Sequence, residues 1–286
     1  MNLEIKKFNV KNLQFKATNN VDTAKGPVVI FIGRRETGKS FLMKDILYHN
    51  QSIPVGTVIS GTEAANSFYG SIMPKMLVYD EYTSSIVENI MKRQKQIFKA
   101  IKHEKELHGR ASMDARTFTI LDDCLWDDGW VRDKMMRLLF MNGRHWNIML
   151  LITMQYPLGI PPKLRTNVDY VFILREPYAN NRKRIYENYA SCFPSFDAFN
   201  QVMDQCTENY ECLVIDNNTK SNNLQDMVFW YKAEAHGNFK LCSQRYWDIS
   251  KEMTSDDEDG GTPYNESKLR PGKKNVPTIT VKKQQW

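Results

Sequence analysis

No stretch of the sequence reads as a signal peptide, and apolar runs such as Ile148–Ile152 are far too short to cross a bilayer. Cysteine is sparse and unpatterned. The five residues Cys124, Cys192, Cys206, Cys212 and Cys242 include no C-x-x-C pair and join no cysteine/histidine cluster along the chain, which predicts a reducing compartment and no structural zinc. No internal repeat is visible. Charge of one sign is also scarce: the net value of +6 leans mildly toward polyanionic partners without identifying one. What remains is a soluble, intracellular chain of 286 residues, 42% hydrophobic, long enough for one substantial core with small appendages.

Against those absences, one segment stands out. Val28 to Ile32 is an uninterrupted apolar, β-branched run, and it leads into Gly33-Arg34-Arg35-Glu36-Thr37-Gly38-Lys39-Ser40-Phe41. This is the G-x-x-x-x-G-K-S pattern of a phosphate-binding loop. Its glycines let backbone N–H groups approach phosphate oxygens, and the following helix adds its positive end. Lys39 reaches the β- and γ-phosphates, and Ser40 holds Mg²⁺. The bland alternative is a glycine turn with a surface lysine, which would not need a buried strand before it and a helix-forming segment to His49 after it.

Further strands are expected at 56–60, 76–79, 116–121, 147–153 and 168–174. Helices are expected at 84–108, 130–141, 181–189 and 195–206, and a hairpin from 210–215 and 227–231. Strands alternating with helices predict a three-layer α/β core with a mostly parallel sheet. Residues 1–26 read as N-terminal edge strands and 27–250 as the main domain. Residues 251–286, an acidic block followed by a lysine- and proline-containing segment, read as a disordered tail.

A phosphate loop needs partners: a carboxylate for the metal and a group to orient or deprotonate the attacking water. Thr119-Ile120-Leu121-Asp122-Asp123 supplies both at a strand end, where α/β sheets gather ligands. Asp122 is assigned to the magnesium and Asp123 to the water. Paired acids can also cap a helix, a role that suits Asp127-Asp128 better. The next strand ends in Thr153-Met154-Gln155, placing the Gln155 amide where it can sense the γ-phosphate or the water. Arg144 lies at the other end of that strand, too remote to serve its own site. It is either an arginine finger for a neighbouring subunit or an ordinary surface arginine, with Arg165 and Arg175 as rivals. Base recognition is not legible, so ATP is the default nucleotide. Between residues 91 and 110 lie seven Lys/Arg against Glu104 and Glu106, a stripe that suits either a DNA backbone or a solvated helix face. Arg182-Lys183-Arg184 is a second basic cluster.

Taken together, the loop, the Leu-Asp-Asp motif, the Gln-bearing strand preceded by an arginine, and Tyr156-Pro157-Leu158-Gly159-Ile160-Pro161-Pro162 resemble the FtsK/HerA superfamily of DNA pumps. Ser60-Gly61-Thr62-Glu63, Phe68-Tyr69 and Ile72-Met73-Pro74 are similar to the DNA-packaging ATPases of large nucleocytoplasmic DNA viruses. The resemblance covers roughly residues 26–235. It implies a P-loop ATPase using ATP and Mg²⁺, a homo-oligomeric ring (hexamer or pentamer), and translocation of double-stranded DNA into a preformed capsid. Capsid or membrane-associated virion proteins would be further partners, and the viral factory in the host cytoplasm the setting. By position, Gly33, Gly38, Lys39 and Ser40 match the Walker A motif, Asp122 and Asp123 the Walker B motif, Gln155 the sensor, and Arg144 the arginine ahead of it. Asp123 departs from the pattern, since many cellular relatives carry glutamate there. Arg34 or Arg35 would act in cis if the chain follows some viral motors. Two other classes stay open: an ATP-dependent assembly or scaffold switch, and a helicase or single-strand pump.

Overall fold

Each strand near the loop is built from residues that favour a sheet buried on both faces, and side-chain alternation divides the core in two. The computed structural model describes residues 4–15, 25–124 and 129–259. Among them a nine-stranded sheet contains β1 (Lys6–Lys7), β2 (Val28–Ile32), β3 (Val55–Ser60), β4 (Val78–Tyr79), β5 (Thr117–Asp122), β6 (Ile148–Met154), β7 (Tyr170–Ile173), β8 (Glu211–Asp216) and β9 (Val228–Lys232). The order is β1-β9-β8-β7-β2-β6-β5-β3-β4. Every pairing is parallel except those of β8, which runs antiparallel to both β7 and β9. The mostly parallel sheet and the C-terminal hairpin expected from sequence are both present.

Val28, Ile30 and Ile32 of β2 face one apolar layer with Ile148, Leu150 and Ile152 of β6. The long helix Ser84–His108 adds Ile86, Val87, Ile90 and Met91 to that layer, and the helices Lys134–Asn142, Ala179–Tyr189 and Phe196–Cys206 complete it. Val29, Phe31, Met149 and Leu151 point the other way, onto Leu42, Met43, Ile46 and Leu47 of the helix Lys39–His49, which follows the loop. Each fully buried side chain of this kind contributes roughly 1.5–3 kcal/mol relative to exposure. The two layers therefore fix β2, and with it the loop, from both sides. The chain to Ser250 forms one compact unit.

Three differences from the sequence reading have local causes. The helix expected over 130–141 is two helices, Gly129–Arg132 and Lys134–Asn142. Asp133 breaks it by taking an extended backbone and accepting from the amides of Met135 (2.6 Å) and Met136 (3.4 Å), while Tyr82 donates to its other oxygen at 2.7 Å. Asp127-Asp128, expected to cap that region, lies outside the described residues. At the N-terminus, among the described residues, the edge strand is β1 alone, followed by a 3₁₀ turn at Val10–Leu13. Finally, the helix Gln244–Asp259 occupies the start of the segment read as a disordered tail; residues 260–286 lie outside the description. Among the described residues no helix is long and apolar enough to cross a membrane.

Candidate nucleotide site

The loop leaves β2 at Gly33, whose N–H donates to the carbonyl of Met154 (3.1 Å), tying it to the end of β6. A side chain at Gly33 would press against Leu174 and the Thr37 hydroxyl, so the close approach demands glycine. Thr37 Oγ1 donates to the Arg34 carbonyl at 2.8 Å and closes the turn. Glu36 (φ 63°) and Gly38 (φ 97°) adopt left-handed backbone, an alternation that turns successive amides toward one point. The helix Lys39–His49 starts there, and its first side chain is buried. Lys39 Nζ donates to the carbonyls of Gly33 (2.7 Å) and Arg34 (2.9 Å). Burial lowers the Lys39 pKa, while Asp123 and then Asp122 oppose that shift.

Strand register assembles the opposite wall. Ser60 of β3 pairs with Asp122 of β5, and Asp122 with Thr153 of β6, so the last polar residues of three apolar strands stand in one row. Thr153 Oγ1 donates to Asp122 Oδ1 at 2.6 Å, and Ser60 Oγ to Oδ2 at 3.2 Å. Burial pushes the Asp122 carboxyl up, and the Thr153 hydroxyl pulls against it. Tyr69, fully buried nearby, has its phenol pushed well up by burial and then by Asp122.

Thr153 does a second job: its oxygen accepts the backbone N–H of Asp123 at 3.0 Å. Asp123 itself sits in left-handed backbone (φ 46°), an arrangement that costs energy for a non-glycine residue. Its carboxylate accepts from Gln155 Nε2 at 3.0 Å. Strand ends and loop thus meet across a pocket of about 380 Å³, lined by residues of the loop from Arg34 to Phe41 together with Thr62, Asp122, Asp123 and Tyr210. A larger cleft of about 750 Å³ carries Arg35, Gly61, Asp123, Thr153 and Gln155 on its walls. Every residue assigned from sequence to phosphate, metal, water or sensing lies at this rim.

The arginines separate. Arg34 lays its guanidinium 4.6 Å from the centre of the Tyr178 ring, whereas Arg35 lines both cavities. Arg165 donates to Asn188 and sits 5.5 Å from the Tyr189 ring centre, and Arg175 is exposed just beyond β7. Arg144 lines neither cavity. Its Nη2 donates to the Asn167 carbonyl at 2.9 Å and to the Asp169 carboxylate at 3.2 Å, and Asp169 in turn accepts the Val28 amide at 2.8 Å. That side chain braces the foot of the sheet through Asp169.

The basic stripe is also revised. Arg93 is half-buried and donates to Thr117 Oγ1 at 3.0 Å, and Arg182 pairs with Asp204 at 2.8 Å. Lys92, Lys95, Lys99 and Lys102 remain exposed, and their spacing places them along one solvent face of the long helix.

Sequence reasoning missed Ser60, Thr62, Tyr69 and Tyr210 as site residues and gave Thr153 no role. The available signal was that VGTVIS, TFTILD and IMLLIT each carry a polar residue where the apolar run closes.

No protein-family model matches the chain. It is 35% identical over 266 residues to protein L437 of Acanthamoeba polyphaga mimivirus, covering 88% of this chain and 93% of that one. It is 39% identical over 231 residues to protein 075L of Invertebrate iridescent virus 6, covering 80% and 85%. Among solved structures, the genome packaging NTPase B204 from Sulfolobus turreted icosahedral virus 2, in complex with AMPPCP, aligns over 73% of this chain and 98% of its own at 15% identity, with a TM-score of 0.49.

Proposed function

Because this chain belongs to the protein family of large DNA viruses that includes mimivirus L437 and iridescent virus 075L, we propose that it is an ATP-hydrolysing ring motor that drives double-stranded viral DNA into a preformed capsid. The observation that carries the proposal is that Lys39 and the Asp122-Asp123 pair face one another across a single pocket.

The residues divide the work by chemistry. The loop amides and the helix start at Lys39 bind the triphosphate, and Lys39 exchanges its two carbonyl acceptors for phosphate oxygens. The donor set fits Mg²⁺: Ser40 offers a hydroxyl oxygen and Asp122 a carboxylate held by two hydroxyls, which is hard oxygen chemistry. When bound, Mg²⁺ offsets charge on the phosphate oxygens. Asp123 orients the attacking water and accepts its proton, and Gln155, bonded to Asp123, couples that carboxylate to the cleft. Arg35 is the arginine assigned to the γ-phosphate in cis, since Arg34 leans on Tyr178 and Arg144 is spent on Asp169. The exposed lysines of the long helix suit a phosphate backbone contacted without regard to sequence.

The test is ATP turnover with and without linear duplex DNA, at concentrations where the protein oligomerises. Asp123→Asn is expected to keep nucleotide binding while losing turnover by roughly 10²–10⁴-fold. Absence of hydrolysis by the wild-type protein in both conditions defeats the motor; stoichiometric binding with negligible turnover points to a switch instead.

A further inference from the structure

The helix that opens on Lys39 carries a second polar cluster near its far end. Asp45 is fully buried beneath an otherwise apolar layer. Its Oδ2 accepts the Tyr231 hydroxyl of β9 at 2.6 Å. Its Oδ1 lies 2.5 Å from His236 Nε2 and 3.4 Å from His49 Nε2. The His236 ring is stacked on Tyr48, with centroids 3.7 Å apart and planes 8° from parallel, and stands at 89° to His49. One donor atom from each of Asp45, His49 and His236 falls within 4.8 Å of the others.

We propose that Asp45, His49 and His236 form a binding site for a divalent transition metal of the zinc class, separate from the nucleotide site. Two features argue for a metal. A carboxylate this buried is costly without a compensating cation, and here two imidazole nitrogens converge on the same carboxylate oxygen from different parts of the chain. Asp45 and His49 are one helical turn apart on one face, the spacing with which a helix offers two ligands to one ion. His236 arrives from the segment after β9. Tyr231 holds the distal oxygen and so turns Oδ1 toward the imidazoles, as an outer partner of a metal ligand does.

The donor set chooses the ion. Two imidazoles and one carboxylate suit zinc, cobalt or nickel, whereas magnesium and calcium favour all-oxygen shells. The His49 side chain is 29% exposed, leaving a side from which water can complete a fourth position. A metal here would join the helix of the phosphate loop to the exit of the last strand. The sequence expectation of no structural zinc arose because no cysteine takes part and His236 is remote from His49 along the chain.

The experiment uses untagged full-length protein, first stripped with a chelator and then titrated with Co²⁺ alone. The expected result is a visible d–d absorption that saturates at one ion per chain and is displaced by Zn²⁺, with a rise in thermal midpoint on either metal. Tyr231→Phe, which retains the ring, is expected to weaken affinity roughly 10–100-fold, and His236→Ala to remove the absorption. The same titration on His145→Ala serves as control and should match wild type. Lack of a saturable cobalt spectrum in wild-type protein, or equal binding by His236→Ala, overturns the proposal and leaves a hydrogen-bonded Asp–His pair.

Discussion

The two ends of the central strands carry polar residues of the same kinds put to opposite uses. At the foot, Asp169 takes the Val28 amide and the Arg144 guanidinium, and Arg144 also takes the Asn167 carbonyl. At the rim, Asp122 and Asp123 are held by hydroxyls, an amide and a backbone N–H, and look into a pocket with Lys39 on its other wall. A charge answered by an opposite charge at contact distance stiffens the fold. One steadied only by neutral donors keeps its charge for something else. The contrast separates Arg35, which lines the cavities at the rim, from Arg144, which is paired at the foot.

Three substitutions sharpen or break that contrast. Arg35→Ala is expected to lower turnover most, on the order of 10³-fold, with ATP binding largely kept; a fall of less than tenfold in single-turnover rate would return the arginine role to another subunit. Thr153→Val removes the hydroxyl that serves both acids while preserving shape, and turnover should fall roughly 10–100-fold, as for other partners that orient a metal ligand. Arg144→Ala should leave the turnover per folded chain unchanged and cost about 1–3 kcal/mol in chemical unfolding, because Asp169 loses its cation. If that variant stays fully stable yet loses activity in mixed rings with wild type, the foot has been misjudged.

Much of this was readable from the chain because burial on both faces leaves a plain mark. Val28–Ile32, the TFTIL run before Asp122 and Ile148–Ile152 read as buried strands, and their ends together with the G-x-x-x-x-G-K-S pattern placed Lys39, Asp122 and Gln155 at one edge. What stayed hidden depended on distances the chain does not encode. Ser60 and Thr153 gain their roles only through register with Asp122. Tyr210 reads as the start of a strand, and nothing local reveals that its ring approaches Gly38. Arg144 looked available because Asp169, its partner, sits beyond the next strand. The cluster of Asp45, His49 and His236 escaped for the same reason.

The left-handed turn at Asp123 bears on what a short acid does at this position. Aspartate and asparagine enter that region of backbone space more readily than longer side chains do. Here the bend sets the direction of a carboxylate that accepts from Gln155 and lines the pocket. Asp123→Glu would put a longer side chain on that same bend, carrying its carboxylate one methylene further from the main chain.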